Sequence, residues 1–287
     1  MFVFGLFPRR FALFLAATLG SLAFTVIRRE REKALTHLRQ VYAKQKSEEE
    51  IRKLARQVFI HSSKAAVDWL LHPRISKSKW AEMIGSEEAI NKAKELLSLG
   101  KGLIVVTGHI GNWELLASTI ILFISKGAAV GRRIYYEPYN RLIAKLRLSK
   151  GVHTVYRDES PRRILKILKQ NETVGILMDQ DVDSIDGVFV PFLGKLAYTP
   201  NAPAKLSMTT GAPILPCFLI RDGLKYRFEV DEPIIPNQEA SIKEDEVKRI
   251  TLACNQAIEK KILKYPEQWV WMHRRWKTRP RVNEYAT

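Results

Sequence analysis

The sequence predicts an α/β fold, a mostly parallel mixed sheet flanked by helices and preceded by an N-terminal hydrophobic anchor helix. Three observations predict it. Short β-branched runs alternate with helical patterns from residue 86 onward, an Asp-Gly turn joins the last two runs, and an uncharged apolar stretch lies near the start of the chain. The 287 residues suffice for one large domain, and an apolar content of 46% excludes a disordered chain.

The apolar stretch comes first. Phe11 to Ile27 spans 17 uncharged residues between Arg9-Arg10 and the cluster Arg28-Arg29-Glu30-Arg31. That length is the lower limit for crossing a bilayer and also suits a helix half-sunk in the interface. Ser21-Leu22-Ala23 loosely resembles a signal-peptide cleavage site, but the apolar run continues past it into the basic cluster. An uncleaved anchor is the expectation. More cations follow the run than precede it, which places the main domain on the cytoplasmic side.

Arg28 to Tyr42 reads as a basic juxtamembrane helix, so residues 1–45 form the anchor region and 46–287 a single domain. Ser47 and Glu50 make a capping-box pattern for a second helix, with an apolar stripe through Ile51, Leu54, Val58, Val67, Leu70 and Leu71 and a stop at Pro73. Ser86 is expected to cap a helix ending at Gly100. Strands are expected at 103–107, 128–131, 152–156, 173–178 and 214–220. Helices are expected after Gly111, at 139–149 and at 162–169, the last capped by Ser160 before Pro161. Asp222-Gly223 predicts a hairpin into 226–230, and a long helix follows from 243 to 263, closed by Pro266.

Charge bears on partners. Lys and Arg number 47 against 30 acidic residues, a formal +17. Such a surface attracts nucleic acid, anionic lipid or an acidic protein, and composition alone does not choose among them. Cys217 and Cys254 form no CxxC or zinc pattern, so no disulfide framework is expected and a reducing compartment fits.

Chemistry concentrates in Thr107-Gly108-His109-Ile110-Gly111-Asn112-Trp113-Glu114, which follows a buried strand and opens a helix. His109 and Glu114 are five apart. They meet if His109 sits in the loop and Glu114 on the first helical turn. A carboxylate on one imidazole nitrogen then lets the other take a proton from a hydroxyl, while backbone N–H groups at the helix start receive an oxyanion. On spacing alone, the pair also reads as a helix cap with an acidic first turn. Asp179, Asp181 and Asp183 alternate after a strand, as in a metal-dependent glycosyltransferase. An EF-hand fails because Ser184 and Val190 stand where glycine and a carboxylate are required. No G-x-S-x-G elbow, P-loop or H-E-x-x-H occurs.

The H-x4-E element within GHIGNWELLA resembles the HX4D/E signature of glycerolipid acyltransferases, and more narrowly the lipid A biosynthesis acyltransferase family. Three further segments carry the resemblance: Asp179-Gln180, the run Phe189-Val190-Pro191-Phe192-Leu193-Gly194 with Thr199, and PEQWVWMHRRWKTRP from Pro266 to Pro280. The resemblance implies a glycerolipid acyltransferase-like fold at the bacterial inner membrane. It implies transfer of an acyl chain from acyl carrier protein, or from acyl-CoA, to a hydroxyl of a lipid A precursor or related glycolipid. Relatives acylate phosphatidylinositol mannosides, so the acceptor is less defined than the reaction.

It also implies His109 and Glu114 as catalytic residues. Asp179 and Gln180 are implied as active-site wall residues that bind the acceptor, with Arg133 matching an acceptor-contacting arginine after the second strand; Asn112 in the loop, and Arg147 and Arg157 near predicted strand ends or between them, are further substrate-binding candidates. As surface cations, Arg133, Arg147 and Arg157 could equally be solvated charges. No metal, cofactor or nucleic acid is expected, and transfer should be direct, without a covalent acyl-enzyme. The Trp269–Trp276 stripe is expected to pack the last segment on the core, and His37, His61, His72 and His153 to be non-catalytic.

Overall fold

The computed structural model describes residues 6–85, 87–159 and 161–280; the expected caps at Ser86 and Ser160 lie outside them. Three helices open the chain: α1 (Arg9–Val26), α2 (Arg28–Tyr42) and α3 (Glu48–Leu71). Ser47 caps α3 through the full capping box, its Oγ accepting from the Glu50 N–H at 3.3 Å while the Glu50 carboxylate accepts from the Ser47 N–H at 2.8 Å. α1 and α2 both pack on α3.

The α/β part then alternates as the sequence implies, with α4 (Lys77–Met83) and α5 (Glu87–Leu97) leading into β1 (Leu103–Thr107). α6 (Trp113–Phe123), β2 (Gly127–Gly131), α7 (Glu137–Leu148), β3 (His153–Tyr156), α8 (Pro161–Lys169) and β4 (Thr173–Leu177) follow. The remaining elements are β5 (Gly187–Phe192), β6 (Lys195–Pro200), α9 (Ala202–Thr210), β7 (Ile214–Asp222), β8 (Lys225–Val230) and α10 (Lys243–Lys264). The main sheet runs β3-β2-β4-β1-β7-β8, parallel except for the β7–β8 hairpin at its edge. β5 and β6 pair only with each other, an antiparallel hairpin outside that sheet.

Strand alternation divides the core in two. Ile104, Val106, Val174 and Ile176 point to the side covered by α3, α8 and α10, whereas Leu103, Val105, Leu115 and Leu215 join the side covered by α4, α5 and α6. Both faces of β1 are therefore buried, which explains its unbroken Leu-Ile-Val-Val-Thr run. β1 sits near the middle of the sheet, and the loop at its C-terminal end emerges between β4 and β7, where parallel sheets place ligands. Cys217 and Cys254 are free and buried.

Candidate active site

Residues 108–112, between β1 and α6, are held from three directions. His61 on α3 lies 2.9 Å through Nε2 from the Gly111 carbonyl oxygen. The Asn112 N–H donates to Leu219 O on β7 at 2.9 Å. The C-terminal segment zips on from the third side, with Gly111 N–H on Gln268 O and Val270 N–H on His109 O, each 3.0 Å. Glycine is required at 111, where φ is +63° and a Cβ would fall 2.2 Å from Leu219 O.

His109 is clamped by a carboxylate, and that carboxylate is Asp179. Its Oδ1 accepts from His109 Nδ1 at 2.7 Å. Its Oδ2 accepts from the His109 backbone N–H at 2.6 Å and from Trp269 Nε1 at 2.7 Å. Sheet register explains the meeting of residues 70 apart. β1 and β4 are neighbours with Thr107 opposite Leu177, so two residues further on His109 stands opposite Asp179. Burial would raise the fully buried Asp179 carboxyl, but the charge and hydrogen bond of His109, the charge of His273 and the Trp269 hydrogen bond hold it well below the usual carboxylate range. An ionised Asp179 carries no proton, so Nδ1 is the donor and Nε2 is left as the basic nitrogen.

The expected pairing of His109 with Glu114 is therefore corrected. Glu114, on the first turn of α6, is bound in a bidentate fork by Arg147 of α7, Nε to Oε2 at 2.9 Å and Nη2 to Oε1 at 2.6 Å. Arg147 also donates to Thr154 Oγ1 at 3.3 Å. Burial works against its charge, but the Glu114 hydrogen bonds and charge prevail, and the guanidinium pKa lies above its ordinary value. A buried arginine needs such a partner, and Glu114 supplies it. Three backbone N–H groups of the loop are already engaged. The N–H groups of His109, Gly111 and Asn112 already donate to Asp179, Gln268 and Leu219.

His109, Glu114, Arg147, Arg157 and Gln180 all line one cavity of about 960 Å³. Its remaining walls mix an aliphatic set, including Ile143, Ile164, Leu165 and Leu206, with polar and charged side chains such as Asp181 and Lys205. A space of this size with both aliphatic and charged walls suits a substrate that joins an apolar chain to a polar head.

A sequence profile described as bacterial lipid A biosynthesis acyltransferase matches residues 1–278. The chain belongs to that family. It is similar to the lipid A biosynthesis palmitoleoyltransferase of Escherichia coli (strain K12), 27% identical over 278 residues, which cover 93% of this chain and 85% of that protein. The lipid A biosynthesis lauroyltransferase of the same organism is 30% identical over 210 residues, 71% of this chain and 64% of that one. A phosphatidylinositol mannoside acyltransferase of Mycolicibacterium smegmatis is 25% identical over 186 residues, 63% and 58% of the two chains. This lipid A-type acyltransferase is accordingly an enzyme, an O-acyltransferase.

Other anticipated residues of the acyltransferase take different places. Asn112 is buried as the N-cap of α6; its Oδ1 accepts from Leu115 N–H at 3.2 Å and its Nδ2 donates to Ala65 O at 3.0 Å, and it stands outside the cavity lining. Arg133 stacks over Tyr156 at 4.2 Å and pairs with Asp158 at 3.0 Å, outside the cavity lining, whereas its neighbour Arg132 lines the cavity. Burial and the charge of Arg132 lower the Arg157 pKa. The alternating aspartates separate: Asp181 takes Thr278 N–H and Oγ1 at 2.7 and 2.6 Å, and Asp183 takes Lys277 at 2.7 Å. Among the described residues no group of three or more His, Cys, Asp or Glu side chains is arranged to hold a metal ion.

Two participants were not singled out as site residues from sequence. His273 packs edge-on against the His109 ring, centroids 4.7 Å apart, and Gln180 Nε2 lies 3.4 Å from His109 Nε2 and 3.1 Å from His273 Nε2. Burial and the charge of His109 push His273 down to about 4, so it is neutral at neutral pH. Trp269 is the other, through its indole N–H on Asp179. The signal was the Trp-rich C-terminal stripe, whose expected packing role describes Trp269, Trp271 and Arg275, all buried. Arg275 donates to Tyr198 O and Thr199 Oγ1, each at 2.6 Å.

Proposed function

We propose that this enzyme moves a fatty acyl chain from a thioester to a hydroxyl of a lipid A precursor or closely related glycolipid, with His109 as general base. The observation that carries the reading is the imidazole fixed by buried Asp179, in the wall of a cavity of about 960 Å³ lined by aliphatic and charged side chains. The acceptor hydroxyl gives its proton to Nε2, and its oxygen attacks the thioester carbonyl. Asp179 stabilises the imidazolium. Collapse of the tetrahedral adduct expels thiolate, which takes the proton back as thiol. Atoms balance without a covalent acyl-enzyme, metal or cofactor.

Gln180 offers its amide N–H beside the attack point, where the carbonyl oxygen becomes negative. Neutral His273 keeps a second positive charge off the imidazolium. Glu114 acts through Arg147, which it holds at the cavity wall; Arg147 and Arg157 then face an anionic group of the substrate. The donor is acyl carrier protein, an acidic partner suited to a chain of +17, with acyl-CoA as the other thioester source. α1 supplies attachment to the inner membrane, with the catalytic part on the cytoplasmic side. Likeness to the mycobacterial protein makes a phosphatidylinositol mannoside the second acceptor reading, and a lysophospholipid a third.

The test has two parts. Purified His109→Ala should fold and lose roughly 10²–10⁴-fold in turnover; wild-type turnover would sink the mechanism. Mass spectrometry of lipids from cells with and without the protein should show one glycolipid gaining one acyl group. A sugar-sized mass difference, or none, would sink the assignment.

A further inference from the structure

α1 is apolar enough to cross a bilayer, with a mean hydropathy of 1.3 over 18 residues, yet it does not stand apart from the protein. Ala12, Leu13, Ala16, Gly20 and Phe24 bury one face along its full length. The partner is α3, running antiparallel. Arg9 forks onto Asp68 at 2.7 and 2.8 Å, Arg56 donates to Ser21 Oγ at 2.6 and 2.8 Å, and Phe24 packs edge-on against Phe59 at 5.5 Å. At Gly20 the backbones approach so closely that a Cβ would lie 2.7 Å from Phe59 O.

The opposite face is a continuous apolar stripe at helical spacing. Phe7, Phe11, Phe14, Leu22 and Val26 are 41–68% exposed. Thr18 and Thr25 also fall on it, and each hydroxyl turns back to a carbonyl of its own helix, as it would where water is scarce. Arg10, Arg28 and Arg29 flank the stripe at its ends.

From this geometry, and resting on the membrane attachment proposed above, we infer that α1 lies in the plane of the membrane interface instead of spanning the bilayer. Upright, its 18 residues would reach about 27 Å, short of a hydrocarbon core of about 30 Å. More decisively, α1 cannot cross without α3, which would carry Arg52 (over the Phe24 ring at 5.6 Å), Arg56 and Asp68 into hydrocarbon. Lying flat, the same helix sinks its aromatic stripe to the headgroup boundary and sets its terminal arginines on anionic headgroups. Both ends then stay on one side, and the enzyme draws its acceptor from that single leaflet.

The test uses the full chain in vesicles of phosphatidylethanolamine and phosphatidylglycerol. Cys217 and Cys254 are fully buried, so cysteines introduced one at a time on the exposed stripe, F7C, F14C, L22C and V26C, can be labelled with an environment-sensitive fluorophore. Nitroxide-bearing lipids then report depth. All four probes should be quenched alike and best by a shallow nitroxide. F7C and V26C should both react with a membrane-impermeant thiol reagent added outside. Position 14 lying deeper than both ends, or the ends reacting from opposite sides, overturns the in-plane inference and leaves membrane attachment standing. Protein that stays in solution beside the vesicles sinks attachment itself. Unquenched probes shielded within a dimer of the chain would assign the stripe to a second copy and overturn the inference.

Discussion

At the residue scale, the site depends on which carboxylate holds the imidazole. Asp179→Asn replaces an acceptor-only group by one that can present N–H to Nδ1, favouring the wrong tautomer. Turnover should fall on the order of 10³–10⁴-fold while the lipid acceptor still binds, which a comparison of kcat with KM will separate. Unchanged kcat in a folded Asp179→Asn enzyme would remove Asp179 from the mechanism. Sequence named both His109 and Asp179 but not their partnership. Glu114 was five residues from the histidine and Asp179 seventy, and short spacing was the only distance a sequence offers. Strand order, which sets β4 beside β1, decides the matter and is written nowhere locally. His273 was illegible for the same reason, since its segment reaches the loop only through backbone pairing of Gly111 with Gln268 and His109 with Val270.

At the scale of elements, the Glu114–Arg147 fork joins α6 to α7 across the cavity wall. If Glu114 works only by positioning Arg147, Glu114→Gln and Arg147→Met should each reduce turnover, and the double variant should lose little more than the worse single one. Additive losses would assign the two side chains separate tasks. A second prediction concerns the loop before α6. Gly111→Ala adds a Cβ against Leu219 O at a left-handed φ, so the variant should be destabilised by more than about 2 kcal/mol in chemical unfolding, since strain and a backbone clash add. A change near zero would show that the loop relaxes freely. Elements with local signals were legible: the Ser47 capping box, the Asp222-Gly223 hairpin and the long helix closed before Pro266 all appear where expected. The β5–β6 hairpin was not placed as strands because Gly187 and Pro191 interrupt its pattern, and proline fits only a strand with a free edge. α4 and α9 are short and follow no clear apolar period.

At the scale of the whole molecule, the parallel core was legible because β1, β4 and β7 read as unbroken apolar runs, whereas the docking of α1 and α2 on α3 was not, because an apolar helix looks the same beside lipid or protein. Three histidines, buried His61 and His72 outside the catalytic chemistry and half-buried His273 beside it, make stability depend on pH. Burial, opposed in His61 by its hydrogen bond to Gly111 O, pushes His61 down to about 4. His72, whose ring nitrogens have no hydrogen-bond partner among the described residues and whose ring packs on Trp80 at 4.7 Å, is likewise pushed to about 4. Unfolded, each takes its proton near 6.5. Between about 6.5 and 4 the unfolded chain therefore binds protons that the native chain excludes, and stability falls as pH falls through that window, by up to about 1.4 kcal/mol per pH unit for each histidine. Asp179 adds nothing there, because its depressed carboxyl loses its contribution only at lower pH, below the usual carboxylate value. Urea unfolding followed by circular dichroism in detergent, from pH 7 to pH 5, should show this slope. His72→Phe keeps the ring against Trp80 and removes one titration while those of His61 and His273 remain, so it should flatten the slope by no more than about a third and leave acyl transfer at pH 7 unchanged. An unaltered slope in that variant would mean that His72 is protonated in the native protein as readily as in the unfolded one.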